Sequence, residues 1–182
     1  YAKFIDTPVA TEDDILKYAF ALFLNHDFEK SLAVAQKGLQ KNARHAAFNR
    51  LVMYNNVDLK RYEDAEKAAD AFFNASDNAD YSCLDYRYHG ALLSALKKYD
   101  QAIEEYGKAL EKDESQVDLW REIADAYELK NDYTQAIAAY KKYYDSLAQD
   151  KKTSENLFQL GRLYYGEGTS SDDTLAVQPA DR

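Results

Sequence analysis

Apolar residues recur at helical spacing along most of the chain, and the stretch Tyr99–Leu110 shows the pattern most plainly. Ala102 and Tyr106 stand one turn apart, and Ile103, Ala109 and Leu110 complete an apolar stripe. Glu104, Glu105, Lys108 and Glu111 fall mostly on the other face, as expected for an amphipathic helix with one side in water. Approximate copies of this stretch begin at Phe28, Tyr62 and Tyr133. Each copy follows another amphipathic segment, so the pattern predicts an all-α chain built of helix pairs.

The aromatic residues that open the four copies, Phe28, Tyr62, Tyr99 and Tyr133, are separated by 34, 37 and 34 residues. A period of 34 with two helices per unit is the mark of tetratricopeptide repeats, and the chain resembles that family. The family pattern, W-x2-L-G-x2-Y and then A-x3-F, is met best in the fourth unit by Trp120, Ile123, Ala124 and Tyr127, then Ala136 and Tyr140. The third unit offers Tyr86, His89, Gly90 and Leu93, then Ala102 and Tyr106, while the second is degenerate, with Asn49, Val52, Met53 and Asn56. Small residues such as Gly90, Ala102 and Ala136 allow paired helices to approach, and Trp120 and Tyr106 fill the grooves between them.

The resemblance implies a right-handed superhelix of antiparallel helix pairs, one array over residues 1–182. Residues 12–45, 46–82, 83–116 and 117–153 read as repeats. Residues 1–11, with Tyr1 and Phe4, read as the end of a preceding second helix. Residues 154–166 read as the first helix of a fifth repeat, and 167–182 as loop and tail, because the run GEGTSSDD from Gly166 is rich in turn formers. With neither end polar-capped as terminal repeats usually are, the chain is expected to be an internal piece of a longer bacterial array.

Composition narrows the functional classes. A net charge of −9 disfavours nonspecific nucleic-acid binding. The lone Cys83 excludes an intrachain disulfide and a cysteine-based zinc site. No apolar run approaches the roughly 20 residues that span a bilayer. Degenerate repeats rich in Tyr, Asp and Lys resemble bacterial envelope proteins, so the expected location is the periplasm or cell envelope rather than the cytoplasm.

Catalytic chemistry finds no foothold. His26 and His45 fall at connections between helices, and His89 takes a place where the repeats put Leu or Ile, which predicts a packed histidine rather than a ligand. No H-E-x-x-H, Walker or G-x-S-x-G motif occurs. Asp77, Asn78 and Asp80 lack the Glu that closes a calcium loop. No catalytic residue, metal site or cofactor is therefore assigned, and the chain reads as a non-enzymatic scaffold.

What remains is a surface. In the family the first helices line the concave face. One of the positions that point into it holds Leu16, Arg50, Arg87, Arg121 and Phe158 in this sequence. A second holds Phe20, Tyr54, Ala91, Asp125 and Arg162, with Leu51, Tyr88, Glu122 and Gln159 between. The resemblance thus implies a protein or peptide partner held by Arg50, Tyr54, Arg87, Tyr88, Arg121, Glu122, Asp125, Phe158 and Arg162. Arginines beside tyrosines can grip an acidic or extended segment. The alternative is internal pairing, Arg121 with Asp125 and Arg87 with Asp118 or Glu122. The places that family members use for acidic chaperone tails hold Leu16, Phe20, Leu51, Leu84 and Tyr88, so that binding mode is not implied. Self-assembly through open repeat ends, giving a homo-oligomer, and an accessory role beside an enzyme or envelope domain are the other readings.

Overall fold

The computed structural model describes residues 5, 7, 9–75 and 81–175. Among them are nine α-helices, a 3-10 turn at Gln149–Lys151 and no strand. They divide into two compact units, Tyr1–Tyr81 and Ser82–Arg182. The expectations for Tyr1 and Phe4, and for Asp77, Asn78 and Asp80, lie outside the described residues.

The first unit holds α1 (Glu12–Leu24), α2 (Phe28–Lys41), α3 (Ala46–Asp58) and α4 (Tyr62–Phe73). Thr11 starts α1 with a capping box: its hydroxyl accepts from Asp14 N at 3.2 Å, and Asp14 Oδ2 accepts from Thr11 N at 3.0 Å. Helix α3 packs against α1, α2 and α4, and every residue from Leu51 to Asn56 is buried. A helix enclosed this way buries polar groups, which must find partners. Asn55 Nδ2 donates to Ser31 Oγ at 2.9 Å and to Leu51 O at 2.7 Å, and Ser31 Oγ donates to Ala19 O at 2.8 Å. These bonds tie α3 to α2 and α2 to α1.

The second unit holds α5 (Cys83–Ala95), α6 (Tyr99–Lys112), α7 (Asp118–Leu129), α8 (Tyr133–Ser146) and α9 (Ser154–Leu175), each packed on the next. Ser82 and Asp85 repeat the capping box at the start of α5. Within every helix pair the turn has one form. His26, Lys60, Lys97 and Asn131 have φ of 59°, 59°, 61° and 63°. The following amide reaches five residues back, as in Asp27 N to Leu22 O and Lys98 N to Leu93 O, at 2.9 and 2.8 Å. These are Schellman turns without the usual glycine.

Helix approach is set where glycine meets an aromatic ring. A Cβ built on Gly90 of α5 would stand 2.6 Å from Tyr106 Cε1, and one on Gly38 of α2 would stand 2.3 Å from Phe48 Cζ. The same device explains a departure from the expected loop at residues 166–173: α9 continues to Leu175. Gly166 lets it lie against Tyr133, whose Cε1 would be 2.4 Å from an added Cβ. Thr134 Oγ1 donates to Glu167 Oε1 at 2.8 Å, and Thr169 Oγ1 returns to Tyr165 O at 3.2 Å. Packing on α8 outweighs the turn propensity of GEGTSSDD.

The apolar stripe of α6 also shifts from its expected place. Glu105, expected on the wet face, is 8% exposed, whereas Ile103 is only partly buried. His89 Nδ1 lies 2.9 Å from Glu105 Oε2, and Lys108 Nζ donates to Glu105 Oε1 at 2.7 Å. Burial, the largest influence, pushes the Glu105 pKa up, but the bonds from His89 and Lys108 hold it below its ordinary value. His89 is thus a packed residue that orders a buried carboxylate.

Gly90→Ala is expected to lower stability by about 1–3 kcal/mol, because the ring of Tyr106 occupies the place of the new methyl. Urea unfolding followed by circular dichroism measures this, and an unchanged midpoint would refute the close-approach account.

Candidate functional site

The three arginines at equivalent repeat positions divide between the units, Arg50 in the first and Arg87 and Arg121 in the second. Arg50 on α3 is half-buried with its guanidinium 5.0 Å from the Phe72 ring centre. Tyr54, one turn on, is no groove residue: it is 2% exposed and its ring centre lies 5.5 Å from that of Phe23. The reason is the enclosure of α3 by three helices, which leaves that position no open side.

In the second unit Arg87 of α5 is taken up internally. Its Nε and Nη2 donate to Glu122 Oε1 on α7 at 3.0 and 2.5 Å. The other oxygen, Glu122 Oε2, is buried with no hydrogen-bond partner among the described residues. Of the two internal pairings open to Arg87, the structure adopts the one with Glu122. Tyr88 is half-buried on α5.

Beyond this pair α7, α8 and α9 line an open cavity of about 360 Å³ whose Arg121, Asp125, Glu155 and Arg162 are exposed. Three sequence-assigned residues, Arg121, Asp125 and Arg162, meet there. Helical spacing brings Arg121 and Asp125 to one side of α7. Arg162 arrives from α9 and clasps Glu128 with both terminal nitrogens, Nη2 to Oε2 at 2.7 Å and Nη1 to Oε1. The Arg121 guanidinium lies 5.7 Å from the Tyr143 ring centre. Phe158, on the same helix as Arg162, is 65% exposed.

Two arginines and three carboxylates line this cavity, since Glu128 and Glu155 join Asp125. Desolvation by the surrounding protein raises the Asp125 pKa above its ordinary 3.8, against the attraction of Arg121. The arrangement can bind polar groups of either sign. Among the described residues no three His, Cys, Asp or Glu side chains are placed to hold a metal ion. No described helix is long and apolar enough to cross a membrane.

Sequence reasoning missed Glu128, Tyr140, Glu155 and Asn156 as lining residues. A signal for the first was present: opposite charges recur about one repeat apart. Arg162 and Glu128 are separated by 34 residues, Arg87 and Glu122 by 35, and Arg61 and Glu29, which also pair, by 32.

Comparison with known proteins places this geometry. Residues 90–131 match a family model described as TPR repeat. That stretch is tetratricopeptide-repeat sequence. The C-terminal part of a TPR repeat-containing protein from Cytophaga hutchinsonii is similar with a TM-score of 0.71 and 21% identity, over 84% of this chain and 58% of that one. The chain therefore spans little more than half of that structure. YrrB, described as a TPR protein with an unusual peptide-binding site, gives 0.71 and 16% over 92% of this chain and 83% of its own. MamA gives 0.70 and 16% over 88% and 85%. At such identities the likeness is one of fold, an all-α helical repeat. No curated protein sequence matches the chain.

Two outcomes follow for this repeat face. Arg87→Ala is expected to cost about 1–2 kcal/mol, because Glu122 then keeps a shielded charge without its partner. Adding Glu122→Ala recovers part of that loss, and a double-mutant cycle in urea measures the coupling. Asp125→Asn is expected to raise the melting temperature at pH 7. Because the folded-state pKa of Asp125 is raised, the wild-type aspartate is most favourable when protonated, below its ordinary value of 3.8, and loses stability as pH rises through the folded pKa. The advantage of the Asn variant should therefore vanish near pH 3, and an equal difference at both pH values would contradict it.

Proposed function

We propose that this repeat array is a non-catalytic scaffold that holds a segment of a partner protein against the first helices of the second unit. The cavity between α7, α8 and α9 carries the reading: Arg121 and Asp125 project into it with hydrogen-bonding capacity that no described residue consumes. A cavity of about 360 Å³ is at the small end of ligand sites and suits one or two side chains of a bound segment. Tetratricopeptide repeats are generally protein-interaction scaffolds, and YrrB, of similar fold, is described as having a peptide-binding site.

The mixed charge of the cavity refines the kind of partner. Arg87 and Arg162 are neutralised by Glu122 and Glu128, so the face is not an anion clamp. A segment that offers both a donor and an acceptor, such as a peptide main chain with a polar side chain, complements Arg121 and Asp125 together.

Random dodecamer peptides selected on the purified chain provide the test. Arg121→Ala combined with Asp125→Ala should weaken the selected peptides at least tenfold while circular dichroism and the melting transition persist. Peptides that bind the folded double variant with full affinity would remove this site from consideration.

A further inference from the structure

The second unit contains a larger groove that shares no lining residue with the cavity on α7, α8 and α9. It has a volume of about 610 Å³ and lies between α6 and α8, with α7 as its floor. Ile103 and Gly107 belong to one wall, Ala138 to the other, and Trp120 to the floor. Its lining is mainly apolar.

Gly107 is the residue that calls for an explanation. Glycine inside a helix costs about 1 kcal/mol relative to alanine. At Gly90 and Gly38 the missing methyl makes room for a ring of the same chain, but nothing stands within 4 Å of a Cβ placed on Gly107, as at Gly161 and Gly168 of α9; of these three only Gly107 lines the groove. The space that this glycine leaves open belongs to the groove. Ile103 points the same way, being apolar and only partly buried. So does Ala138, a small exposed residue on the facing wall.

Charge selects the occupant. Glu111 and Glu114 line the groove and are exposed, and neither has an ion-pair partner among the described residues. Lys142 is occupied over the Trp120 ring, its Nζ 4.1 Å from the ring centre. The whole chain has a net charge of −9. The walls are helices whose backbone groups are already bonded to each other, so an extended segment would bury main-chain groups without partners. A helix satisfies its own backbone. From Ile103 to Glu111 the α6 wall runs roughly 12 Å, enough for about two turns of a docked helix.

We propose that this groove receives an amphipathic helix of a partner protein, with its apolar stripe on Trp120 and Gly107 and its basic side chains toward Glu111 and Glu114. Helix-in-groove docking reads as apolar anchors at i, i+3 or i+4 and i+7. The site is independent of the one under "Proposed function", and either can fail alone.

Trp120 is the sole tryptophan, so its fluorescence reports on the groove directly. The probe is a synthetic 14-residue helix with leucine at i, i+3, i+4 and i+7 spacing and lysine elsewhere, titrated at 0.15 M salt. It should give a saturable change in Trp120 emission, and the same peptide with glutamate for lysine should bind at least tenfold more weakly. Gly107→Leu fills the groove and should weaken the lysine peptide at least tenfold without lowering the melting temperature. Ala138→Leu, on the facing wall, gives the same reading should Gly107→Leu fold poorly. Arg121→Ala with Asp125→Ala should leave this titration unchanged. The proposal is overturned by no saturable signal, by equal binding of the glutamate peptide, or by wild-type affinity in the folded wall variants, which would mean nonspecific attraction of a cationic peptide to an acidic protein.

Discussion

The close approach of helices through a missing Cβ is the constraint on which both units depend. Gly38 against Phe48, Gly90 against Tyr106 and Gly166 against Tyr133 each set an aromatic ring where a side chain would otherwise stand. A glycine within a helix is unfavourable on its own, by about 1 kcal/mol. The contact it permits buries a large ring against backbone, which more than offsets that cost for a well-packed aromatic side chain. At other contacts small residues serve instead, and Ala102 and Ala136 are fully buried.

Two kinds of polar order are layered on this packing. In the first unit the buried Asn55 and Ser31 hydroxyl join three helices through hydrogen bonds. In the second, charged pairs such as Arg87 with Glu122 and Arg162 with Glu128 join the first helix of one repeat to the first helix of the next. Half-shielded pairs of this sort contribute modestly to stability, but they decide which charges stay unmatched. Within the second unit Arg87 and Arg162 are each matched by a glutamate, so the charges there are of mixed sign.

Much of the architecture was legible because helix formation is local and repeats itself. The spacing of Ala102 and Tyr106, and the return of the same pattern at Tyr133, record which side of each helix is buried by its own pair. Less of the candidate face was legible. Positional analogy placed Tyr54 in a groove, yet α3 is enclosed by three helices and the ring lies in the core. Pattern placed Glu105 in water, yet His89, sixteen residues earlier, supplies the partner that makes its burial possible.

The amino-acid sequence by itself determined the helix pairs, their period of about one repeat and many of the residues that pack within each pair, since all of these depend on spacings of a few residues. The tertiary structure alone decided which arginines are neutralised, that α9 runs through a turn-forming segment, and that Gly107 faces open groove while Gly90 faces a ring. The physical reason is distance along the chain. Each of those outcomes rests on what a residue some 16 to 35 positions away does or does not fill, and periodicity marks a face without saying what will meet it.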